Sequence, residues 1–158
     1  MSLKGYYQNG YVTHDLDRAI ALFASDFGLG EFSRFDIDLM LETPAGPRDA
    51  SVRVGTAWAG KLQVELIQPV AGYIEPYVNA LPADRNDAVP RFHHVAVRRE
   101  SVADMRLEVE RLGLPLMFET AGAGINSTFI DTRARLGHHL ELVCATPDGW
   151  NMLGWPRD

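Results

Sequence analysis

The strongest constraint on this chain is a helix signal that occurs twice, each time followed by the same run of strand signals. Asp15 precedes Leu16, Ala19, Ile20 and Phe23 at helical spacing, and Gly28 follows where a left-handed residue ends a helix. Ser101 precedes Val102, Met105, Val109 and Leu112 in the same way, and Gly113 follows. The two cap-to-glycine spans are 13 and 12 positions. A strand is expected before each helix, Tyr6 to Thr13 and Arg91 to Val97, from their aromatic and β-branched content. Three strand-like segments follow each helix: Phe32 to Leu41, Ser51 to Ala59 and Leu62 to Gln68, then Leu114 to Thr120, Asn126 to Thr132 and His138 to Cys144. Gly- and Pro-bearing turns separate them.

Each half therefore reads βαβββ, and an α+β fold of two such modules is expected. The modules are placed at residues 1–69 and 91–146, with a connector at 70–90 and a C-terminal tail at 147–158. The connector predicts a short helix from Ile74 to Leu81 with Pro76 in its first turn, where a missing N–H costs nothing. In the tail, Trp150 and Trp155 are expected to pack back. A single module of roughly 60–70 residues buries too little apolar surface to stand alone. Two sharing one core form one functional domain, and their curved sheets would enclose a concave space suited to a small ligand.

Composition narrows the partners. The formal charge of −6 comes with no basic run, so nucleic acid and anionic membrane surfaces lack the cationic footprint they need. Cys144 is the single cysteine, which excludes an intramolecular disulfide and cysteine-rich zinc sites. No run approaches 18 apolar residues, and no signal-peptide pattern opens the chain, so a cytoplasmic protein is the expectation.

Four polar residues interrupt strands where apolar ones are expected. Gln8 and His94 lie mid-strand, each seven residues before its helix cap. Glu65 lies within Leu62-Gln63-Val64-Glu65-Leu66-Ile67, and Glu141 within His139-Leu140-Glu141-Leu142-Val143. The four are equivalent in pairs, on the first and last strand of each module. Because strand residues alternate between faces, a carboxylate flanked by aliphatics points away from the face those aliphatics bury. An amide oxygen, two carboxylates and one imidazole suit a divalent ion of intermediate hardness, five- or six-coordinate with water. His93 and His94 are adjacent and face opposite ways, so one of them at most would ligate. His139 shares the face of Glu141, and His138 is expected to point outward. Phe35, Trp58, Met117, Phe118 and Phe129 are candidates to line an apolar cavity or to fill the core.

These segments resemble the vicinal oxygen chelate superfamily, which includes glyoxalase I, methylmalonyl-CoA epimerase, extradiol dioxygenases and bleomycin-resistance proteins. The resemblance is carried by Val12-Thr13-His14-Asp15-Leu16-Asp17-Arg18-Ala19, Phe27-Gly28-Leu29-Gly30, Val64-Glu65-Leu66-Ile67-Gln68-Pro69, Phe92-His93-His94-Val95-Ala96-Val97, and Asp131-Thr132 with Leu136-Gly137-His138-His139-Leu140-Glu141-Leu142. It implies two βαβββ modules in a half-open curved barrel around one divalent metal ion (Zn, Mn, Co, Ni or Fe), held by Gln8, Glu65, His94 and Glu141. The ligand set is similar to that of glyoxalase I, while the wording around it looks more like the epimerase branch. The implied reaction is that of a lyase or isomerase, with proton abstraction next to a metal-polarised carbonyl by way of an enediolate. Glu141 is then the base, and Glu65 a ligand that can assist on the opposite face. Asp49 lies near the place of the epimerases' second acid/base carboxylate, although an exposed position is expected for it. The resemblance further implies a carbonyl-containing small-molecule substrate and a homodimer. Two other activities stay open at this point: a metal-free binder of the bleomycin-resistance type, and a ring-cleaving dioxygenase.

Overall fold

The computed structural model describes residues 3–155, so the last three residues of the expected tail, 156–158, lie outside the described residues. The elements run β1 (Tyr6–Val12), α1 (Leu16–Phe27), β2 (Ser33–Thr43), β3 (Gly46–Ala59), β4 (Leu62–Gly72), α2 (Glu75–Val78), β5 (Arg91–Arg98), α3 (Val102–Leu112), β6 (Leu116–Gly122), β7 (Ile125–Ile130), α4 (Arg133–Leu136), β8 (His139–Ala145) and α5 (Pro147–Met152). The βαβββ order thus occurs twice, in an α+β fold. Two compact units are distinguished: Gln8–Met40 with Arg48–His94, and Met1–Tyr7 with Leu41–Pro47 and Val95–Asp158.

In the unit built on Gln8–Met40 and Arg48–His94, the strand order is β1-β4-β3-β2. β1 runs parallel to β4, with Gln8 opposite Gln63 and Gly10 opposite Glu65. β4 continues to Gly72, beyond the expected end at Gln68, because β3 begins early at Gly46 and pairs along that extension, Ala50 with Gly72. A helix cap on each side of the prediction is observed for α1. The Asp15 carboxylate accepts from the Arg18 N–H at 3.0 Å, and Gly28 takes φ 67°. Leu16, Ala19 and Ile20 bury against Val64 and Leu66, with Tyr11, Phe23, Leu29 and Phe32 around them. α1 lies close on β3 at Gly55, where a Cβ would stand 3.2 Å from Leu16 Cδ1 and 3.3 Å from Ile20 Cδ1. The connector's helix is shorter than expected, Glu75–Val78, with Pro76 in its first turn.

The other unit repeats the plan. Its strands follow the order β6-β7-β8-β5, with the end of β2 beside β6 through Glu42 and Glu119. Ser101 caps α3 by accepting from the Asp104 N–H, and Gly113 takes φ 57°. Val95, Val97, Met105, Ile130, Leu140, Leu142 and Cys144 form the core, covered by Val102, Val109, Leu112 and Leu114. Burial pushes the Cys144 thiol above its usual range, which keeps it protonated and unreactive. The tail forms α5 rather than a simple surface excursion. Trp150 is buried, stands edge-on to Tyr7 at 5.6 Å, and with Trp155 receives the Arg98 guanidinium at 4.9 and 4.8 Å. Among the described residues, no helix is long and apolar enough to cross a membrane.

Candidate metal centre

The register of β1 and β4 sorts side chains by face. Val64 and Leu66 pack under α1, so Gln63 and Glu65 project from the opposite face, beside Gln8 and Gly10 of the parallel neighbour. The second repeat obeys the same rule. Leu140 and Leu142 pack in the core under α3, which turns Glu141 to the face away from that helix.

Three of the four predicted residues converge within one unit. His94 Nε2 lies 3.3 Å from Gln8 Oε1 and 3.3 Å from Glu65 Oε2. His94 is fully buried, Gln8 is 3% exposed, and the Glu65 side chain keeps 18% of its surface in solvent. Glu141 belongs to the other unit, where its carboxylate accepts from the buried Ser127 hydroxyl. Among the described residues, no three His, Cys, Asp or Glu side chains gather as a metal cluster. The convergent set has two residues of those kinds, and the Gln8 amide supplies its third donor.

The donor set fits a divalent ion. Metal–nitrogen and metal–oxygen bonds near 2.1 Å, opened by 90° to 110°, separate two ligand atoms by about 3.0–3.4 Å. Both separations at His94 Nε2 fall within that interval. The partial exposure of Glu65 would leave a side open for water or substrate.

Supporting residues complete the cluster, and the sequence reading did not single them out. Gln8 Nε2 donates to Gln63 Oε1 at 2.7 Å, which turns the Gln8 oxygen toward His94. Gln63 is itself fully buried. Gly10 provides the room: a Cβ built there would overlap Cε1, Nδ1 and Nε2 of His94. A glycine inside an aromatic strand is a sequence signal for such close approach, and it was available at this position. His93 departs from simple alternation. Its ring meets that of His94 at 87°, with the two Nδ1 atoms 3.0 Å apart. Its Nε2 lies 2.9 Å from the Pro76 carbonyl in α2, and its ring leans on Tyr77 at 5.5 Å.

The remaining candidates take other roles. Asp49 is exposed on β3, and its backbone carbonyl accepts from Tyr73 N–H at 2.8 Å. His139 is buried with Nδ1 3.5 Å from Asp131, while His138 is half-buried and its Nδ1 donates to the His139 carbonyl at 2.7 Å. Arg133 hydrogen-bonds Asp131 and holds its carboxyl down at about 2. Phe118 and Phe129 are buried and stacked at 4.6 Å, so these two rings are core, and Phe35 is exposed.

The chain is α+β, repeats βαβββ, and brings an amide, a carboxylate and an imidazole together from β1, β4 and β5. Residues 7–131 match the description of the Glyoxalase/Bleomycin resistance protein/Dioxygenase superfamily, and the chain belongs to that superfamily. No curated protein matches it. Among solved structures, methylmalonyl-CoA epimerase from Mycobacterium tuberculosis is similar at 22% identity and TM-score 0.59, over 93% of this chain and 92% of that one. A Streptomyces coelicolor methylmalonyl-CoA epimerase variant in complex with 2-nitronate-propionyl-CoA is similar at 16% identity and TM-score 0.60, over 94% and 99%. A hypothetical protein, BH1468, from Bacillus halodurans C-125 is similar at 17% identity and TM-score 0.60, over 89% and 94%. At these identities the likeness is one of fold.

Proposed function

We propose that this protein is a divalent-metal-dependent isomerase or lyase of the epimerase/glyoxalase kind, acting on a small carbonyl-containing substrate by proton abstraction at the neighbouring carbon. The observation that carries the reading is the convergence of Gln8 Oε1 and Glu65 Oε2 on His94 Nε2, each at 3.3 Å. The epimerase neighbours favour the isomerase side of the pair.

A bound divalent ion would supply Lewis-acid polarisation of the substrate carbonyl, which acidifies the adjacent C–H. Gln8, Glu65 and His94 would hold it. Gln63 keeps the Gln8 oxygen aimed inward, and Gly10 keeps the imidazole in place. Glu141, expected from the sequence as both a fourth ligand and the base, is proposed as the base: its carboxylate would receive the substrate proton, with the Ser127 hydroxyl donating to it. In an epimerisation a second proton, taken up from water by Glu65, would be delivered to the opposite face of the same carbon, and the proton held on Glu141 would be released to water. The protein is proposed to work in the cytoplasm and as a homodimer, the latter being what the resemblance implies.

The test is elemental analysis of the protein as purified, followed by solvent deuterium exchange with thioester and 2-oxoaldehyde substrates. About one equivalent of Zn, Mn, Co, Ni or Fe, with deuterium entering next to the carbonyl, is expected. Failure to bind any of the five ions would overturn the reading in favour of a metal-free binder. Oxygen uptake with ring cleavage would overturn it in favour of a dioxygenase.

A further inference from the structure

We infer that Thr56 of β3 is a specificity-determining residue, whose hydroxyl bonds a second oxygen of the substrate, beyond the reacting carbonyl. Thr56 lies opposite Glu65 in the register of β3 and β4, and Glu65 lies opposite Gly10 of β1. Residues paired across strands share a face, so the Thr56 side chain leaves the sheet beside the Glu65 carboxylate. Its neighbour Gly55 fixes the direction, because a Cβ there would meet Leu16 and Ile20 of α1 on the other face. Trp58 follows on the face of Thr56, half-buried and opposite Gln63. β3 thus extends the face of Gln8, Gln63 and Glu65 by one strand.

What singles out Thr56 is an unused hydroxyl. Thr13, Ser127, Thr128 and Thr132 are also buried, and each donates to a protein oxygen: the Ala88 carbonyl, Glu141, Glu119 and the His138 carbonyl. Thr56 is 9% exposed, and among the described residues its hydroxyl has no hydrogen-bond partner. Nor is its oxygen sealed from solvent. A hydroxyl so nearly buried costs free energy until it is paired, and the open side lets the partner come from outside the chain. Opposed Cβ atoms of an antiparallel pair stand about 4.5–5.5 Å apart. An oxygen that reaches Thr56 therefore lies roughly three to four bonds along the substrate from the carbonyl oxygen held beside Glu65. The substrate class is a carbonyl compound with a further hydroxyl or carbonyl at that distance. The inference rests on the functional reading above for the place of the reacting carbonyl, whereas the unpaired hydroxyl is independent of it.

The experiment uses two probes that differ by a single hydroxyl, 2-oxobutyrate and 4-hydroxy-2-oxobutyrate, the latter carrying its extra oxygen at the required distance. Each is titrated by calorimetry into wild type, Thr56→Val and Thr56→Ser in the full chain, with and without saturating Zn²⁺. Wild type should bind the hydroxylated probe about three- to tenfold more tightly, the usual worth of one hydrogen bond. T56V should lose that preference while binding 2-oxobutyrate as wild type does, and T56S should keep it. Urea denaturation is the structural control. The T56V midpoint should not fall, whereas that of Thr132→Val should, because the Thr132 hydroxyl is bonded within the fold. A T56V protein that retains the preference, a wild type that lacks it, or a T56V midpoint lowered as far as that of T132V overturns the inference. If neither probe binds wild type, the contact is overturned whatever Zn²⁺ does. If no Zn²⁺ binds but the preference, and its loss in T56V, appear in ion-free protein, the functional proposal fails and the Thr56 contact stands.

Discussion

In the first repeat, the face turned away from α1 carries Gln8, Gln63 and Glu65, with Gly10 leaving a gap for the His94 ring. The corresponding face in the second repeat, away from α3, carries Phe118, Phe129, Ser127 and Glu141, two stacked rings beside one carboxylate. The backbone plan is shared down to the helix caps, yet one face gathers hydrogen-bonded polar groups and the other is mostly core. The contrast extends to single positions. Two residues after Gln8 stands Gly10, and two residues after its counterpart His94 stands Ala96, buried with its methyl accommodated. A repeated fold supplies equivalent positions, and the side chains decide which of them becomes a donor site.

Breaking the two carboxylates separately tests that contrast most severely. Glu141→Gln should lower turnover by about 10²–10⁴-fold, the usual range for a general base, while the ion stays bound. Glu65→Gln should instead weaken metal binding, read by calorimetry, because it removes the only charge in the convergent set. Equal effects of the two variants on metal affinity would dissolve the distinction between the repeats.

Next in size is the paired exchange at the equivalent small residues. Gly10→Ala drives a methyl into the buried His94 ring and should cost about 1–3 kcal/mol in urea denaturation, with metal binding lost. Ala96→Gly should cost only about 0.5–1 kcal/mol, from backbone entropy, and leave metal binding intact. A G10A protein with unchanged Zn²⁺ affinity would show that the close fit around His94 is dispensable.

The smallest effect belongs to the second repeat alone. Arg133 depresses the Asp131 carboxyl from 3.8 to about 2. Since the folded-state value is the lower one, the ion pair stabilises the protein fully above pH 3.8, and its contribution fades as pH falls through about 2. The pair is partly exposed, so the contribution is less than about 1 kcal/mol. Denaturation midpoints of Asp131→Asn and wild type should therefore differ at pH 5 and converge near pH 2. A constant offset across that range would assign the effect to packing.

Much of this molecule was written locally. Asp15 with Gly28 and Ser101 with Gly113 mark their helices in sequence, because capping depends on neighbouring residues and on a left-handed glycine. The faces of Glu65 and Glu141 followed from their aliphatic neighbours, because alternation is a property of any single strand. The same local logic placed the ends of β3 and β4 several residues off, since their extension comes from pairing with each other.

The tertiary structure alone decided how the donors meet. Gln8 and Gln63 are far apart in sequence and face each other only through the parallel register of β1 and β4. The His93–His94 contact arises because α2 holds the first ring from outside the strand. Residue type and periodicity determine which way a side chain leaves its own element. Which atom it then encounters depends on long-range register and on the space a distant residue such as Gly10 leaves empty, and neither is a property of the local chain.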